Sequence, residues 1–362
     1  MKKILFSAYS LDVGGIETAL INLLKYLAPM YDITLVLEKK QGIFLKEVPK
    51  QVKIIIYEPS KNKNVIARKA ENFIKQRKFQ LSYKNKYDFA ACFATYSFPS
   101  AFVARTASKN NAIWIHNNYM EFYNNDINQY KKFFNDLKIE EFKKVIFVSE
   151  YDKKVFNAYM PQYSKKTIMC NNIIDYKMIE EKSKEKISDL EEKSLTTFIN
   201  VGRHDEKQKK LTRIISATKR LNQEGYKFRV VFIGNGQDTE MYKECAKDAK
   251  NIAFLGAKTN PYPYIKASDC VLMSSQFEGY PVVFVESKIL GKPIITTEVS
   301  DSKKDISDKY GIVVNNSEDG VYKGMKQYLE KGFKEEYFNA KQFDEDIVKK
   351  LEKIIEDESV VE

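Results

Sequence analysis

The sequence is poor in the residues that build disulfide frameworks and protein-held metal sites. It contains four cysteines in 362 residues, widely spaced and with no Cys-x-x-Cys pair, and only two histidines. Paired cysteines stabilise small secreted domains, and clusters of cysteine and histidine bind zinc. The sequence therefore predicts a protein without disulfides that requires neither a metal nor another cofactor.

Long apolar runs are also missing. No run approaches the roughly 18 residues that a membrane-spanning helix needs. The start of the chain imitates a secretory signal, but Asp12, Gly14 and Glu17 interrupt its apolar stretch too early. We therefore expect a cytoplasmic protein. With 43% hydrophobic residues, the composition is that of a folded globular chain, and the length suggests two or three domains.

Charge is distributed unevenly along the chain. The formal net charge is +11, and residues 1–175 contain 28 Lys and Arg against 16 Asp and Glu, whereas residues 176–362 contain 32 against 33. The positive excess lies in the N-terminal half, which predicts an anionic partner for that half alone.

The densest basic segment spans residues 61–86, with nine Lys and Arg and a single acidic residue. Ile66, Ala70, Phe73 and Ile74 recur within it at helical spacing. Such a helix can lie on an anionic membrane surface, or it can be a solvated helix whose apolar stripe packs on its own domain. Nucleic acid is a third partner class, but no known nucleic-acid-binding motif accompanies the charge.

Short apolar runs alternate with helical patterns throughout the chain. The first seven predicted strands are Ile4–Ala8, Ile33–Leu37, Lys53–Tyr57, Phe89–Ala94, Ala112–Ile115, Val145–Val148 and Thr167–Cys170. The six that follow are Thr197–Val201, Arg229–Ile233, Ile252–Leu255, Cys270–Met273, Pro293–Thr297 and Gly311–Val314. Apolar runs without polar alternation are typical of strands covered on both faces, and their alternation with helices predicts parallel sheets.

This pattern predicts two doubly wound α/β domains, both Rossmann-like, at 1–172 and 195–340. The charged segment 173–194 is interpreted as a connector. The segment 341–362 is interpreted as a terminal amphipathic helix, capped by Asp344, that returns toward the N-terminal domain. Open α/β sheets bind ligands at the carboxyl ends of their strands, so two such domains would face each other across a binding cleft.

Two candidate sites follow strands in the N-terminal half. Gly14 and Gly15 follow the first strand and open a helix, where glycine allows positive φ and the free N–H groups attract anions. A tight strand-to-helix turn explains this pair equally well. His116 follows the strand Ala112–Ile115, where a polar contact to a ligand is favoured over proton transfer.

The C-terminal half adds a cationic loop and a glycine turn. Arg203 and Lys209 lie between the strand Thr197–Val201 and the next helix, where fixed cations can clamp a diphosphate without a metal. A solvated charge run is the alternative, although cations at a helix N-terminus oppose its dipole. Gly234 makes a turn after the following strand and is a weak indication of nucleotide binding.

The most informative segment lies further along the C-terminal half. Glu278 follows a buried strand, and Gly279, Tyr280 and Pro281 lead into an apolar helix that carries Glu286. At 1.5 Å rise per residue, the two carboxylates are separated by at most about 12 Å. A carboxylate accepts two hydrogen bonds and so suits the paired hydroxyls of a sugar. An acid on an apolar helix needs a partner, which favours a functional interpretation of Glu286.

Together these features resemble the GT-B fold glycosyltransferases, in particular glycosyltransferase family four. The resemblance covers nearly the whole chain and rests on Gly14, Gly15, His116, Arg203, Lys209, Gly234, Gly236, Glu278 and Glu286. Members of that family are retaining enzymes that use nucleotide-sugar donors. The resemblance implies the GT-B architecture, with two Rossmann-like domains facing across a cleft.

The resemblance also implies roles for single residues. Arg203 and Lys209 would contact the donor diphosphate, and Glu278 would contact the transferred sugar. Glu286 would contact the ribose, and Gly15 would lie near the phosphates and the acceptor. His116 and Glu278 are the predicted catalytic residues. The other predicted donor-binding residues are Gly14, Gly234, Gly279, Tyr280 and Pro281.

One departure from the family pattern concerns the lysine. In the family this lysine is usually followed by glycine, whereas Lys210 follows Lys209 in this chain. Lys207 therefore remains a competing candidate for the diphosphate contact.

The resemblance predicts a retaining transferase that moves a sugar from a nucleotide donor, UDP-linked by preference, to a glycan or polyprenyl-linked acceptor in cell-surface polysaccharide biosynthesis. Together with the basic N-terminal half, it predicts a location at the inner face of the cell membrane. Two alternatives remain open. One is a nucleotide-sugar epimerase of the same fold, and the other is a non-catalytic partner that binds glycan or donor within a transferase complex.

Overall fold

The computed structural model describes residues 1–12, 14–190 and 195–358. The chain divides into two compact units. Unit 1 comprises Met1–Ile174 and the segment from Asp344 onward, and unit 2 comprises Asp175–Phe343.

Unit 1 is built on a seven-stranded parallel sheet. Its strands are β1 (Lys3–Ala8), β2 (Asp32–Leu37), β3 (Lys53–Ile56), β4 (Phe89–Cys92), β5 (Asn111–Ile115), β6 (Lys144–Phe147) and β7 (Thr167–Met169). They lie in the order β3-β2-β1-β4-β5-β6-β7, and each neighbouring pair is parallel. The helices between them are α1 (Gly15–Leu27), α2 (Val65–Tyr83), α3 (Phe98–Ala107), α4 (Tyr119–Phe122), α5 (Ile127–Asp136) and α6 (Glu150–Tyr159).

Unit 2 is built on a six-stranded parallel sheet. Its helices are α7 (Tyr176–Lys182), α8 (Leu211–Gln223), α9 (Thr239–Ala246), α10 (Tyr262–Ala267), α11 (Val282–Ile289), α12 (Ser302–Asp305) and α13 (Glu318–Lys331). Its strands are β8 (Thr196–Val201), β9 (Phe228–Ile233), β10 (Ile252–Phe254), β11 (Cys270–Met273), β12 (Ile294–Thr297) and β13 (Gly311–Val314). They lie in the order β10-β9-β8-β11-β12-β13, again all parallel.

The strands form because their apolar runs are buried on both faces of each sheet. Every residue of β4, β5, β6, β11 and β12 is buried, as expected for parallel strands covered by helices. Each of the thirteen strands predicted from the sequence overlaps a strand of the structure. The predicted fold class, two Rossmann-like parallel-sheet domains, is confirmed.

Each sheet has one point at which the direction of strand order reverses. In unit 1 the first strand, β1, lies between β2 and β4, and in unit 2 the first strand, β8, lies between β9 and β11. Loops that leave the carboxyl ends of the two strands on either side of such a point run to opposite faces, which opens a crevice for ligands. The fold therefore predicts ligand-binding sites at the loops after β1 and β4 in unit 1, and at the loops after β8 and β11 in unit 2.

The segment predicted as a connector begins in unit 1 with Ile173 and Ile174, and its described residues from Asp175 onward belong to unit 2. The side chain of Asn260 donates to the carbonyl oxygen of Lys182, at the end of α7, at 3.0 Å. Asp189 pairs with Lys258 and accepts a hydrogen bond from Tyr264 at 2.7 Å. Part of the charge in this segment therefore serves ion pairing within unit 2. Its last four residues, 191–194, lie outside the described residues.

The terminal helix α14 (Ala340–Glu356) runs into unit 1. Lys144, at the start of β6, is buried and donates to the carbonyl oxygen of Ile354 at 2.9 Å and to Asp357 at 2.7 Å. The expected cap at Asp344 is wrong, because α14 begins four residues earlier. Asp344 instead accepts a hydrogen bond from the backbone of Ile174 at 3.1 Å.

We predict that Ile354→Ala destabilises unit 1 by about 2–5 kcal/mol, because Ile354 is fully buried and its truncation leaves a cavity. Denaturant unfolding followed by circular dichroism measures the effect. Lys349→Ala, on the exposed side of the same helix, is the matched control and should change stability by less than about 0.5 kcal/mol. Equal effects of the two substitutions would show that α14 does not stabilise unit 1.

Candidate functional site

Two loops interlock at the reversal point of the unit 2 sheet. One loop, residues 202–210, follows β8, and the other, residues 274–281, follows β11. The backbone N–H of Gln276 donates to the carbonyl oxygen of Gln208 at 2.7 Å. The hydroxyl of Ser274 donates to the carbonyl oxygen of Lys209 at 2.9 Å. The two loops therefore form a single structural unit at the carboxyl edge of the sheet.

An ion pair lies at the centre of these loops. The Nζ atom of Lys209 is 2.6 Å from Oε1 of Glu278, and the side chains are only 19% and 8% exposed. The hydroxyl of Ser275 also donates to Oε1 of Glu278, at 2.6 Å. A charge-assisted contact that is largely shielded from water is stronger than a surface ion pair. Lys209 and Glu278 are both predicted site residues. They lie 69 positions apart in the sequence, and the structure brings their side chains into contact.

Gln208 connects this pair to the second predicted cation. Its Oε1 accepts a hydrogen bond from the guanidinium of Arg203 at 3.1 Å, and its Nε2 donates to Oε2 of Glu278 at 3.3 Å. Arg203 itself is exposed and available to a ligand. Sequence reasoning missed Gln208, although its place between Arg203 and Lys209 in a charged loop was the available signal.

Lys207 and Lys209 differ in placement. The Lys209 side chain turns inward to Glu278, and its Cε atom lies 3.8 Å from where a Cβ on Gly202 would stand. The residue Lys207 is exposed. The geometry favours Lys209 as the lysine of the site, and its role toward a diphosphate stays a prediction.

Arg213, on α8, positions the second loop. Its guanidinium donates to the carbonyl oxygen of Ser274 at 3.0 Å, to Gln276 at 2.7 Å and to Asn316 at 2.6 Å. Burial lowers the pKa of Arg213 from its ordinary value. Sequence reasoning did not find this residue, because its partners lie more than 60 positions away.

The loop after β11 ends in the helix that carries Glu286. Pro281 is the cap residue of α11 with extended backbone (φ −64°, ψ 121°), so its missing N–H removes no helical hydrogen bond. Gly279, two residues before Pro281, is buried. The hydroxyl of Tyr280 interacts with Asp305, and burial raises the pKa of Tyr280 well above its ordinary value. These residues fix where α11 begins; their predicted contact with a donor remains a prediction.

Glu286 is a buried carboxyl group on α11, 8% exposed. Burial raises its pKa to about 7, and a hydrogen bond with the side chain of Tyr262 partly opposes this shift. The expectation that this acid needs a polar partner on an apolar helix agrees with the contact to Tyr262. The contact with Tyr262 does not test the predicted contact of Glu286 with a ribose, which remains a prediction.

Gly234 and Gly236 allow the loop after β9 to pack against the loop after β8. Gly234 has φ +145°, and a Cβ there would lie 1.8 Å from the carbonyl oxygen of Gly202. A Cβ on Gly236 would lie 2.2 Å from the carbonyl oxygen of His204. Close backbone packing thus accounts for both glycines, so neither needs a nucleotide to explain it.

In unit 1, Gly14 and Gly15 occupy the turn from β1 into α1. Gly14 is extended (φ −178°), and α1 begins at Gly15. Neither has a positive φ, so the turn does not use the left-handed conformation that glycine would allow. A Cβ on Gly14 would instead lie 2.2 Å from the Oε2 atom of Glu17. The Glu17 carboxylate therefore lies beside Gly14 at the first turn of α1, where an anion is favourable. The predicted contact of Gly14 and Gly15 with a donor remains a prediction.

His116 follows β5 and packs on Phe93, with ring centroids 4.4 Å apart. Burial lowers the pKa of His116 to about 3, so the imidazole is neutral near pH 7. Its Nε2 atom is shielded from solvent and has no hydrogen-bond partner among the described residues. A neutral imidazole suits the predicted polar contact better than proton transfer.

Metal-binding geometry is not seen in the part of the chain that the structure describes. No group of three or more His, Cys, Asp or Glu side chains is placed there to hold a metal ion. The expectation of a metal-independent protein is untested by this observation and stays a prediction.

The two loops of the site lie within the part of the chain that matches a protein-family model. Residues 181–345 match the family model described as glycosyl transferases group 1. An uncharacterized glycosyltransferase of Methanocaldococcus jannaschii is 25% identical over 62% of this chain, and the match spans 57% of that protein's length.

Solved structures of similar fold cover almost the whole chain. Anabaena HepE in complex with UDP and glucose has a TM-score of 0.73 at 15% identity, covering 97% of this chain and all of that one. The lipopolysaccharide outer core galactosyltransferase WaaB has a TM-score of 0.70 at 16% identity, covering 99% of both chains. TarM of S. aureus has a TM-score of 0.70 at 13% identity, covering 98% of both. The GT-B fold predicted from the sequence is confirmed.

We predict that the stability of unit 2 falls as Glu286 ionises. A carboxyl group with pKa about 7 in the folded state, against an ordinary value of 4.5, binds its proton more tightly than the unfolded chain does. Wild type should therefore lose about 2 kcal/mol relative to Glu286→Gln between about pH 5 and pH 8. Urea unfolding of both proteins at both pH values tests this. A stability difference that is equal at the two pH values would contradict the raised pKa.

Proposed function

We propose that this protein is a glycosyltransferase, from the premise that residues 181–345 carry the domain of the glycosyl transferases group 1 family on a GT-B fold. The observation that carries the proposal is the linked set of Arg203, Gln208, Lys209 and Glu278 at the reversal point of the unit 2 sheet. That edge is where open α/β sheets bind ligands.

The donor is proposed to be a nucleotide sugar, with UDP as the preferred nucleotide. Departure of a diphosphate requires stabilisation of its negative charge, which Arg203 and Lys209 can supply as fixed cations. The carboxylate of Glu278 can accept hydrogen bonds from sugar hydroxyls. The structurally similar HepE was crystallised with UDP and glucose, which supports this choice of donor.

We propose transfer with retention of configuration. The acceptor hydroxyl forms a bond to the anomeric carbon as the bond from that carbon to the diphosphate oxygen breaks. The acceptor proton passes to the departing phosphate oxygen, so no protein base is required. Lys209 would pair first with Glu278 and then with the diphosphate, because the negative charge that develops on the diphosphate competes with Glu278 for the lysine.

The acceptor is proposed to be a glycan carried on a lipid, in the assembly of a cell-surface polysaccharide. The positive excess of residues 1–175 suits an anionic membrane surface on which such an acceptor is held. The protein would then act from the cytoplasmic side, peripheral to the membrane.

Purified protein incubated with a panel of nucleotide sugars tests the activity. Hydrolysis of one donor, or transfer to an added glycan, is the expected result. Release of an epimerised nucleotide sugar without an acceptor would instead indicate an epimerase, and binding without any turnover would indicate a non-catalytic partner.

We predict that Lys209→Ala weakens binding of the preferred nucleoside diphosphate at least about tenfold, because a charged hydrogen bond contributes roughly 1.5–3 kcal/mol. Isothermal titration calorimetry with UDP, GDP and ADP measures it. Lys207→Ala removes the same charge two positions away and should change affinity less than about twofold. A larger loss of nucleoside diphosphate affinity in Lys207→Ala than in Lys209→Ala would assign the diphosphate contact to Lys207.

We predict opposite effects of Glu278→Gln on binding and on transfer. Removing this carboxylate frees Lys209 from its ion pair and removes repulsion of the diphosphate, so nucleoside diphosphate affinity should rise about three- to tenfold. Sugar transfer should fall at least about a hundredfold, because the sugar loses its carboxylate partner. Titration calorimetry and a donor-turnover assay on one preparation measure both. Unchanged turnover would remove Glu278 from the site.

A further inference from the structure

Helix α2 faces unit 1 with a polar side. Arg68 and Lys75 donate to backbone carbonyl oxygens of the preceding loop, residues 58–62, at 3.3 and 2.8 Å. Asn72 accepts a hydrogen bond from a backbone N–H of the same loop at 2.7 Å. Hydrogen bonds to backbone, which an apolar stripe could not make, therefore fix the orientation of this helix.

One aromatic residue anchors the same side. Phe79 is 5% exposed, and its ring lies 5.1 Å from that of Tyr57 and 4.8 Å from that of Tyr83. Phe79 is the buried residue of a helix that is 19 residues long. Packing to unit 1 thus uses Phe79 and the partly buried Tyr83 at the end of the helix, which leaves the other large apolar side chains of α2 outside this contact.

The outward side of α2 is apolar. Ile66, Phe73, Ile74 and Leu81 are 81%, 56%, 53% and 83% exposed. At 3.6 residues per turn these four side chains fall within a stripe about 100° wide. The stripe that the sequence predicted is therefore present but does not pack on its own domain. Arg77 also falls within this stripe, between Phe73 and Leu81. An exposed apolar stripe of this kind indicates an interaction surface.

Basic side chains border this stripe. Helical geometry puts Lys69 on one border and Lys78 on the other, and both are exposed. The guanidinium of Arg77 lies over the ring of Phe73 at 5.2 Å. The one acid of the segment, Glu71, already accepts hydrogen bonds from Ser60 and Asn62. The outward side therefore combines apolar groups with exposed positive charge.

We propose that α2 binds the surface of an anionic lipid bilayer, lying in its plane. The α2 face is defined as Ile66, Lys69, Phe73, Ile74, Lys78 and Leu81. Its apolar stripe would enter the acyl boundary while the lysines remain at the headgroups. A second copy of the chain fits this face less well, because it would bring like charges together.

A surface position also fits the dimensions of α2. Nineteen residues extend about 28 Å at 1.5 Å per residue, but α2 carries too many charges to cross the hydrocarbon. Of the helices in the described part of the chain, none is both long and apolar enough to span a bilayer. This inference deepens the membrane association proposed above and rests on that proposed function for its biological setting.

Vesicle flotation with the full-length protein tests the proposal. Wild type should float with vesicles of phosphatidylcholine and phosphatidylglycerol and not with phosphatidylcholine alone. The variant Ile66→Ser/Phe73→Ser/Leu81→Ser keeps every charge and should lower binding at least about tenfold. Lys69→Gln/Lys78→Gln should also lower binding, and added salt should weaken wild-type binding.

The matched control is Tyr337→Ser, which removes an 88% exposed aromatic ring from unit 2 and should leave flotation unchanged. The triple variant should unfold at the wild-type temperature, because its substituted side chains are exposed. Absence of wild-type flotation, equal flotation with neutral vesicles, or wild-type flotation of the triple variant would each overturn the proposal. Self-association that the triple variant abolishes, without flotation, would assign the face to a second copy.

Insertion can also be observed directly. The chain has one tryptophan, Trp114, which is 2% exposed, so a second one introduced by Phe73→Trp supplies the exposed signal. Its emission should shift to the blue with anionic vesicles and be quenched by brominated acyl chains; no shift would exclude insertion.

Nucleoside diphosphate binding, measured without vesicles on the same preparations, separates the two proposals. It should be unchanged in the triple variant. Failure of wild type to bind any nucleotide would contradict the transferase function and leave the flotation result intact.

Discussion

The parallel pairing of β8 with β11 is the constraint on which the candidate site depends. These strands are neighbours in the sheet, although 68 residues lie between the end of β8 and the start of β11, because the strand order reverses between them. The loops that leave their carboxyl ends can therefore interlock, through Gln276 and Gln208 and through Ser274 and Lys209. Without that adjacency, neither the Lys209–Glu278 ion pair nor the bridge through Gln208 could form.

The ion pair gives this edge of the sheet a defined chemistry. Lys209 is held by a carboxylate that is 8% exposed, so its charge is balanced until a stronger anion approaches. A diphosphate carries more charge than Glu278 and can compete for the lysine, which would leave the carboxylate for sugar hydroxyls. Arg213 keeps the loop after β11 in place through its contacts with the carbonyl oxygen of Ser274 and the side chain of Gln276, which limits how far the site can rearrange during that exchange.

Unit 1 contributes a different kind of surface. In a typical surface helix the apolar stripe packs inward, but in α2 the loop at 58–62 supplies backbone hydrogen-bond partners that hold the polar side inward instead. Ile66, Phe73 and Leu81 are exposed because the polar side of α2 is held inward. The same part of the sequence contains most of the positive excess, so apolar contact and attraction to anionic lipid act together.

The sequence by itself determined the strands, the parallel fold class and the segments that hold Arg203, Lys209 and Glu278, because apolar periodicity and turn residues are local properties. Contacts between distant residues were decided by the tertiary structure. It favoured Lys209 over Lys207, added Gln208 and Arg213, and accounted for Gly234 and Gly236 by close packing. It also turned the apolar stripe of α2 outward, because a helical pattern specifies two faces but only the neighbouring loop determines which one is buried.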